Sequence, residues 1–529
     1  MRSAGALRRF CATSLRANSD STRRSRLGDV RFGVAAHKGG LGVKLALRFV
    51  VSLSALLIAV LAVNALRLES RQIEPVQPSR IEVDAAAAAG RLAAALKFAT
   101  VSEEAGAQSD ASAFAGLVDY LANTYPAVHR MLRPEKIGEG SILYVWQGSD
   151  NELEPILLLA HLDVVPVAPD EAASWTQPPF AGKVAEGFVW GRGAMDDKSS
   201  VIAILEATES LLASGYSPRR SIYIAFGHDE EVGWQNGAAR IAGEMAARGV
   251  NFELVLDEGF FVTEGLLPGA ADPVALVGIA EKGIVSVALE VQAAPGHSSV
   301  PPRHTAIGIL AAALVRLEER PMAASVDGVT GQMLQWLAPE MPFLQRTVFA
   351  NMWLFAPLVR ARMEAVPRTA ATIRTAQAIT MVSGGIKENV LPSQARAVVN
   401  FRIRPGDRIE DVISHVSDVV DDERVSVSIL PGLHSEASPV SSTQSQAFAA
   451  LHVTIRRVFP DALVAPALVV GATDARHFSA LSSNVYRFLP IRLGPSDVAR
   501  IHGIDERISI ADLGEAIRFY RELVLETTR

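Results

Sequence analysis

The chain has 529 residues, 49% of them hydrophobic, 20% charged and 6% aromatic. That length predicts roughly two to four domains, and the composition excludes a wholly disordered protein. A net charge of −6 argues against a dedicated nucleic-acid binder, and the single cysteine, Cys11, excludes a disulfide framework and any multi-cysteine metal site.

Charge is unevenly spread. Residues 1–48 hold eleven Lys/Arg and two Asp/Glu, a charge of +9, which leaves −15 for the rest. Next comes FVVSLSALLIAVLAVNAL, residues 49–66, with no charged residue. At ~1.5 Å per residue such a run spans roughly 27 Å, close to a bilayer's hydrocarbon thickness. A basic flank before an apolar run is the positive-inside arrangement, which predicts a transmembrane anchor with the rest of the chain outside the cytoplasm, on the periplasmic or extracellular side. Secretion after cleavage near Val63-Asn64-Ala65 is the alternative.

Beyond the apolar run, helical stretches alternate with short apolar strands. Residues 84–99, 111–124 and 200–215 read as helices, and ILLLA (156–160), IYIAF (222–226), ELVL (253–256) and ALVV (467–470) as strands buried on both faces. The alternation predicts an α/β fold around a mostly parallel sheet. Within it, 285–293, 305–318, 378–385, 395–404, 409–420 and 425–430 follow the order β-α-β-β-α-β, which predicts an inserted ferredoxin-like α+β domain. The expected organisation is a basic tail (1–48), the anchor (49–66), a catalytic domain in two parts (67–283 and 434–529) and a lid domain (284–433) with its own insertion at 321–378.

Ligands of open parallel sheets bind beyond the carboxyl ends of the strands. There lie His161 and Asp163 in AHLDVVP, Asp196 and Asp197 in GRGAMDDK, Asp229, Glu230 and Glu231 in GHDEEVG, and Asp257 and Glu258 in LDEG. Taken singly, each has an ordinary structural explanation: a His-x-Asp hydrogen bond, a solvated Glu pair, a tight glycine turn. At one sheet edge together they need divalent cations to stay ionised, and a His/carboxylate set without thiolate suits Zn²⁺, with Co²⁺ or Mn²⁺ as substitutes. The chain carries no Gly-x-Ser-x-Gly elbow, Walker A loop, Gly-x-Gly-x-x-Gly fingerprint or His-Glu-x-x-His helix.

HLDVVP, GRGAMDDK, DEE, LDEG, APGHSS, GATDAR and RIHGIDE, in this order, resemble the di-zinc peptidase family of carboxypeptidase G, succinyl-diaminopimelate desuccinylase, carnosinase and aminoacylase. WTQPPFAG and GFVWGRGAMDDKSS look most like its Gly-X carboxypeptidase and N-fatty-acyl-amino-acid hydrolase branch, although Ser199-Ser200 follow Lys198 where many members carry a glycine. The resemblance implies two zinc ions per subunit bridged by Asp196, one also held by His161 and Asp257, the other by Glu231 and His502. It implies Glu230 as general base toward a water between the metals, Asp163 as the carboxylate orienting His161, and His297 as a lid histidine near the substrate carbonyl. Asn389 and Arg476 would polarise that carbonyl and hold a substrate carboxylate.

The expected activity is zinc-dependent hydrolysis of an amide bond in short peptides or N-acyl amino acids. An aminopeptidase or dipeptidase of the same fold and a non-catalytic membrane-anchored binding protein are the alternatives. A homodimer through the lid stays open, and no nucleic-acid partner is expected.

Overall fold

The computed structural model describes residues 40–73, 77–103, 110–267 and 269–529, so Cys11 and most of the basic tail lie outside the described residues. The chain separates into two units, Met1–Ala59 and Val60–Arg529. Helix α1 (Gly40–Leu66) starts earlier than the apolar run and extends to its end. Its Lys44–Leu66 portion is long and apolar enough to cross a membrane, judged by length and composition. No Gly or Pro interrupts that portion, and its Leu, Val and Ile side chains from Leu45 to Ile58 are exposed.

The larger unit contains two main sheets. In chain order, β1 (Glu135–Ile137), β2 (Ser141–Trp146), β3 (Ile156–His161), β4 (Ile222–Gly227), β5 (Leu254–Thr263) and β6 (Val274–Glu281) belong to the first. β7 (Gly283–Gln292), β8 (Ala376–Gly384), β9 (Gln394–Ile403) and β10 (Val425–Ile429) form the second, and β11 (Leu463–Val469) and β12 (Val485–Leu493) return to the first.

The first sheet has the order β1-β2-β4-β3-β5-β12-β6-β11. It is mixed, with parallel pairings along its centre and antiparallel ones toward its first edge and at one junction. The β4-β3-β5-β12 centre and the β6–β11 pair are parallel, while β1, β2 and the β12–β6 junction pair antiparallel. All six residues of β3 and all eight of β6 are buried. Alternation divides β3 between two layers. Ile156 and Leu158 pack with Ile202 and Ile204 of α2 (Lys198–Ala213), while Leu157 and Leu159 pack with Ile241 and Met245 of the opposite layer. Burying each such side chain contributes about 1.5–3 kcal/mol, which explains why these strands are apolar at every position.

The second sheet has the order β8-β9-β7-β10 and is antiparallel throughout. Val285, Val287, Leu289 and Val291, alternate residues of β7, face a core built with Ile309, Ala313 and Leu317 of α3 (Ala306–Glu319). Between β7 and β8 also lie α4 (Phe343–Ala350) and α5 (Met352–Glu364), within the segment expected as an insertion at 321–378. Val412, Val416, Val419 and Val420 of α6 (Ile409–Val420) close the same core, and Asp411 accepts from the Arg408 backbone N–H at 2.8 Å to cap that helix. The outgoing and returning chains run side by side, joined by reciprocal Ile284–Ser435 backbone bonds of 2.9 and 2.8 Å. Gly283 is required at that crossing, because a Cβ there would meet the Ser435 carbonyl at 2.5 Å. The terminal helix α7 (Ile510–Thr527) packs on the first sheet and is capped by Ser509, whose Oγ accepts from Asp512 N–H at 2.9 Å.

Candidate metal centre

His161 closes β3, and its imidazole is fixed from both sides. Nδ1 faces the Asp163 backbone carbonyl at 3.0 Å and the Asp163 carboxylate at 3.3 Å, while Nε2 lies 2.9 Å from Asp196 Oδ1. The second Asp196 oxygen, Oδ2, lies 3.0 Å from His502 Nε2, which also approaches Glu231 Oε1 at 3.3 Å. One carboxylate therefore stands between two imidazoles, with an oxygen toward each.

The loops carrying these groups are joined by a small sheet of residues 183–185, 188–190 and 507–509, in which Arg507 pairs with Trp190. Glu506, fully buried, accepts from the backbone N–H groups of Met195 (2.8 Å) and Asp196 (3.2 Å) and from Arg192 Nη1 (2.7 Å). Arg192 also donates to the His502 carbonyl at 3.0 Å. His502 itself has φ +59°, a left-handed conformation that costs a non-glycine residue on the order of 1–3 kcal/mol and is held here by that bond. Glu506 and Arg192 lie inside motifs quoted from the sequence, yet their pairing across more than three hundred residues gives no local signal.

Glu230 and Glu231 begin a short turn after β4, and both backbone N–H groups donate to the Asp163 carboxylate at 3.2 Å. Asp163 thus positions the histidine and the glutamate pair together. Burial, then the neighbouring carboxylates, pushes Glu230 and Glu258 well above the usual carboxylate range, and burial raises Glu231 as well. Asp196 and Glu231 hydrogen bonds push His502 up to about 10. Glu231 Oε1 is buried, and His502 Nε2 at 3.3 Å is the group that approaches it among the described residues. Carboxylates crowded in this way fit divalent cations, which lower the cost of keeping them all ionised. Three groups come within metal-ligating reach of one another: His161/Asp196/Glu258, His161/Glu230/Glu231 and Asp196/Glu231/His502.

Of the residues expected from the sequence, His161, Asp163, Asp196, Glu230, Glu231 and His502 come together. Asp257 is adjacent in the chain to Glu258, and its carboxylate accepts from Ala475 N–H at 2.7 Å and from Glu258 N–H at 3.0 Å. Glu258 faces the cluster, with Oε1 3.9 Å from His161 Nε2. Arg476 lies beside the cluster. Its guanidinium packs over the Trp234 ring at 5.0 Å, and its Nε approaches Glu281 at 3.3 Å. Trp234 Nε1 in turn donates to Glu230 Oε1 at 3.3 Å. Among the described residues, Arg476 Nη1 is buried and has no hydrogen-bond partner. His297 and Asn389 lie apart and exposed, on or beside a short two-stranded pairing of residues 296–297 with 390–391, where Ser298 N–H donates to the Asn389 carbonyl at 3.2 Å. Among the described residues, no hydrogen bond joins either of them to the carboxylate cluster.

Peptidase family M20/M25/M40, compared as a family profile, matches residues 157–526. A probable carboxypeptidase S-like 2 of Dictyostelium discoideum is 40% identical over 483 residues, covering 89% of this chain and 92% of the relative. The N-fatty-acyl-amino acid synthase/hydrolase PM20D1 of Bos taurus is likewise 40% identical over 483 residues, covering 89% and 95%. Carboxypeptidase S of Saccharomyces cerevisiae is 31% identical, with 78% of each chain covered. Among solved structures, an M20 family metallo-carboxypeptidase from Sulfolobus solfataricus superposes with a TM-score of 0.59 at 16% identity, over 84% of this chain and 99% of the other, a likeness of fold.

Proposed function

The chain belongs to peptidase family M20/M25/M40, and from that premise we propose that it hydrolyses the amide bond of N-acyl amino acids or of short peptides ending in a free carboxylate. Hydrolysis of amide bonds in peptides or acyl amino acids is the activity common to the family and to the relatives named carboxypeptidase S and N-fatty-acyl-amino acid hydrolase. The observation that carries the reading is Asp196 standing between His161 and His502, 2.9 and 3.0 Å away, with buried Glu230 beside it.

His161, Asp196 and Glu258 would hold one metal, and Asp196, Glu231 and His502 a second; zinc is our assignment, with cobalt or manganese as substitutes. Such a pair, when bound, supplies a polarised carbonyl and an acidified water. Glu230 then takes a proton from water and returns it to the departing nitrogen, while Asp163 holds its backbone in place. Trp234 keeps the Glu230 carboxylate directed by its 3.3 Å bond. Arg476, with a buried donor to spare and its plane fixed against Trp234, would receive the substrate's free carboxylate. We read the β7–β10 sheet with its helices as a lid that brings His297 and Asn389 to the substrate. We read α1 as a membrane anchor whose basic flank stays in the cytoplasm and leaves the hydrolase outside.

The test is a substrate panel of N-acyl amino acids, Gly-X dipeptides and amino-acid amides, measured with added Zn²⁺, Co²⁺ or Mn²⁺ and after chelation. Turnover of the first two classes, lost on chelation, is expected. Preference for the amides would point to an aminopeptidase and contradict the carboxylate role of Arg476. Metal binding without turnover of any class would leave a binding protein.

A further inference from the structure

We propose that the α4–α5 hairpin is a bilayer-contacting surface standing at the exit of α1, and that α1 is accordingly retained rather than cleaved. The proposal rests on the anchor reading of α1 and goes beyond the hydrolase activity.

The first observation is how the hairpin grips the end of α1. Asn351 is fully buried; its Nδ2 donates to the Leu61 carbonyl at 3.0 Å and to the Thr347 carbonyl at 2.9 Å. Its Oδ1 accepts from Asn64 Nδ2 at 2.7 Å and from Trp353 Nε1 at 3.2 Å. The last carbonyls of a helix lack intrahelical donors. Here Arg346 supplies one, donating to the Ala65 carbonyl at 2.6 Å, and it also donates to the Leu68 carbonyl just past the helix end. Ala65 is itself completely buried. A disposable leader has no such partners: cleavage at 63–65 would strand the Asn351 amide and part of the Arg346 guanidinium. The polar Asn64 within an otherwise apolar run also acquires a role, as the partner of Asn351.

The second observation is an inverted pattern of burial. On α5 Val359 faces inward, at 8% exposure, while Trp353 is 65% exposed and Leu354 and Leu358 share its side of the helix. On α4, Leu344 is 78% exposed. Of the exposed positions of α5, 353, 354, 357, 358 and 361 recur with helical spacing and are apolar, while Arg360, Arg362 and Glu364 carry charge at the helix's last turns. A water-facing helix would put its polar residues there. An interfacial helix puts Trp and Leu there, at the level where an adjoining membrane helix leaves the hydrocarbon.

Charge supplies the third. Residues 341–375 carry five arginines and one acidic residue, Glu364, in a chain that is otherwise acidic. Phospholipid headgroups of negative charge complement that excess. Together, attachment to α1, the outward apolar stripe and the basic flank specify a lipid surface as the occupant.

The full-length chain, with Cys11→Ser and either Leu344→Cys or Ile386→Cys, is reconstituted into phosphatidylcholine/phosphatidylglycerol vesicles and labelled with a polarity-sensitive fluorophore. Ile386, 97% exposed on the second sheet's domain, is the water-facing reference. The expected result is several-fold stronger quenching of the Leu344 label by a headgroup-level lipid nitroxide, several-fold weaker quenching by iodide, and an intact mass that includes α1. Equal iodide access at the two positions overturns the hairpin assignment. Shielding of Leu344 that persists in detergent and grows with protein concentration assigns the surface to a second copy and also overturns it. Release of the chain by alkaline carbonate, or a mature mass lacking residues before about 66, overturns the anchor reading and the proposal together, while leaving the hydrolase reading untouched.

Discussion

The two places that hold candidate reacting groups are built in opposite ways. At the edge of the first sheet, His161 ends the fully buried β3, Glu230 and Glu231 follow β4, and Asp196 stands in the loop before α2, with Asp163 and Glu506 tying them together. In the segment that carries the second sheet, His297 is exposed, and among the described residues its Nδ1 accepts from Ser299 alone, two residues away. Preorganised groups have their orientation fixed by folding, whereas His297 acquires any partner at the cluster from outside its own segment. A metal centre needs the first kind of construction, since its ligands must be held close against their own repulsion. A group that meets the substrate late can tolerate the second.

The contrast predicts that damage at the sheet edge removes metal, while damage at His297 removes turnover alone. Asp196→Asn is expected to have the largest effect, with loss of bound metal and of detectable hydrolysis, read by elemental analysis and substrate turnover together. Retention of both metals would break the comparison at its strongest point. Next, His297→Ala is expected to lower kcat by roughly 10²–10³-fold with metal content unchanged, the size of effect seen when one donor to a developing oxyanion is lost. A matching loss of metal would erase the distinction between the two regions.

The smallest expected effects sharpen the sheet edge itself. Glu258→Gln should weaken metal binding by roughly 10–100-fold in competition with a chelator, while Asp257→Asn should weaken it less, because Asp257 acts by fixing the Ala475 and Glu258 backbones. The reverse order would return the ligand to Asp257.

Much of the site was legible because buried strands read as unbroken apolar runs, and the acids at their ends stand out against them. The helix at 409–420 was equally clear, its apolar residues recurring with helical spacing. Other features were hidden for physical reasons. β12 (VYRFLPIRL) looks broken by Arg487, Pro490 and Arg492, yet Arg487 is fully buried because Glu281, on β6, meets it at 3.1 Å. Periodicity cannot show a charge neutralised from two hundred residues away. The antiparallel β2–β4 and β12–β6 pairings of the first sheet are likewise non-local. Asp257 and Glu258 pose a different problem: adjacent strand residues point to opposite sides, so which acid faces His161 depends on how the strand meets its neighbours. Glu506 was passed over because its partners, Arg192 and the Met195 and Asp196 amides, belong to a motif at the other end of the chain.

The central claim is that Glu230 moves the proton within a metal centre assembled by its neighbours. Glu230→Gln removes the base while leaving the cluster around Asp196 in place. The decisive measurement is the turnover of an N-acyl amino acid by this variant at verified full metal content. The account predicts a fall of roughly 10²–10⁴-fold; turnover equal to that of the unaltered enzyme would contradict it.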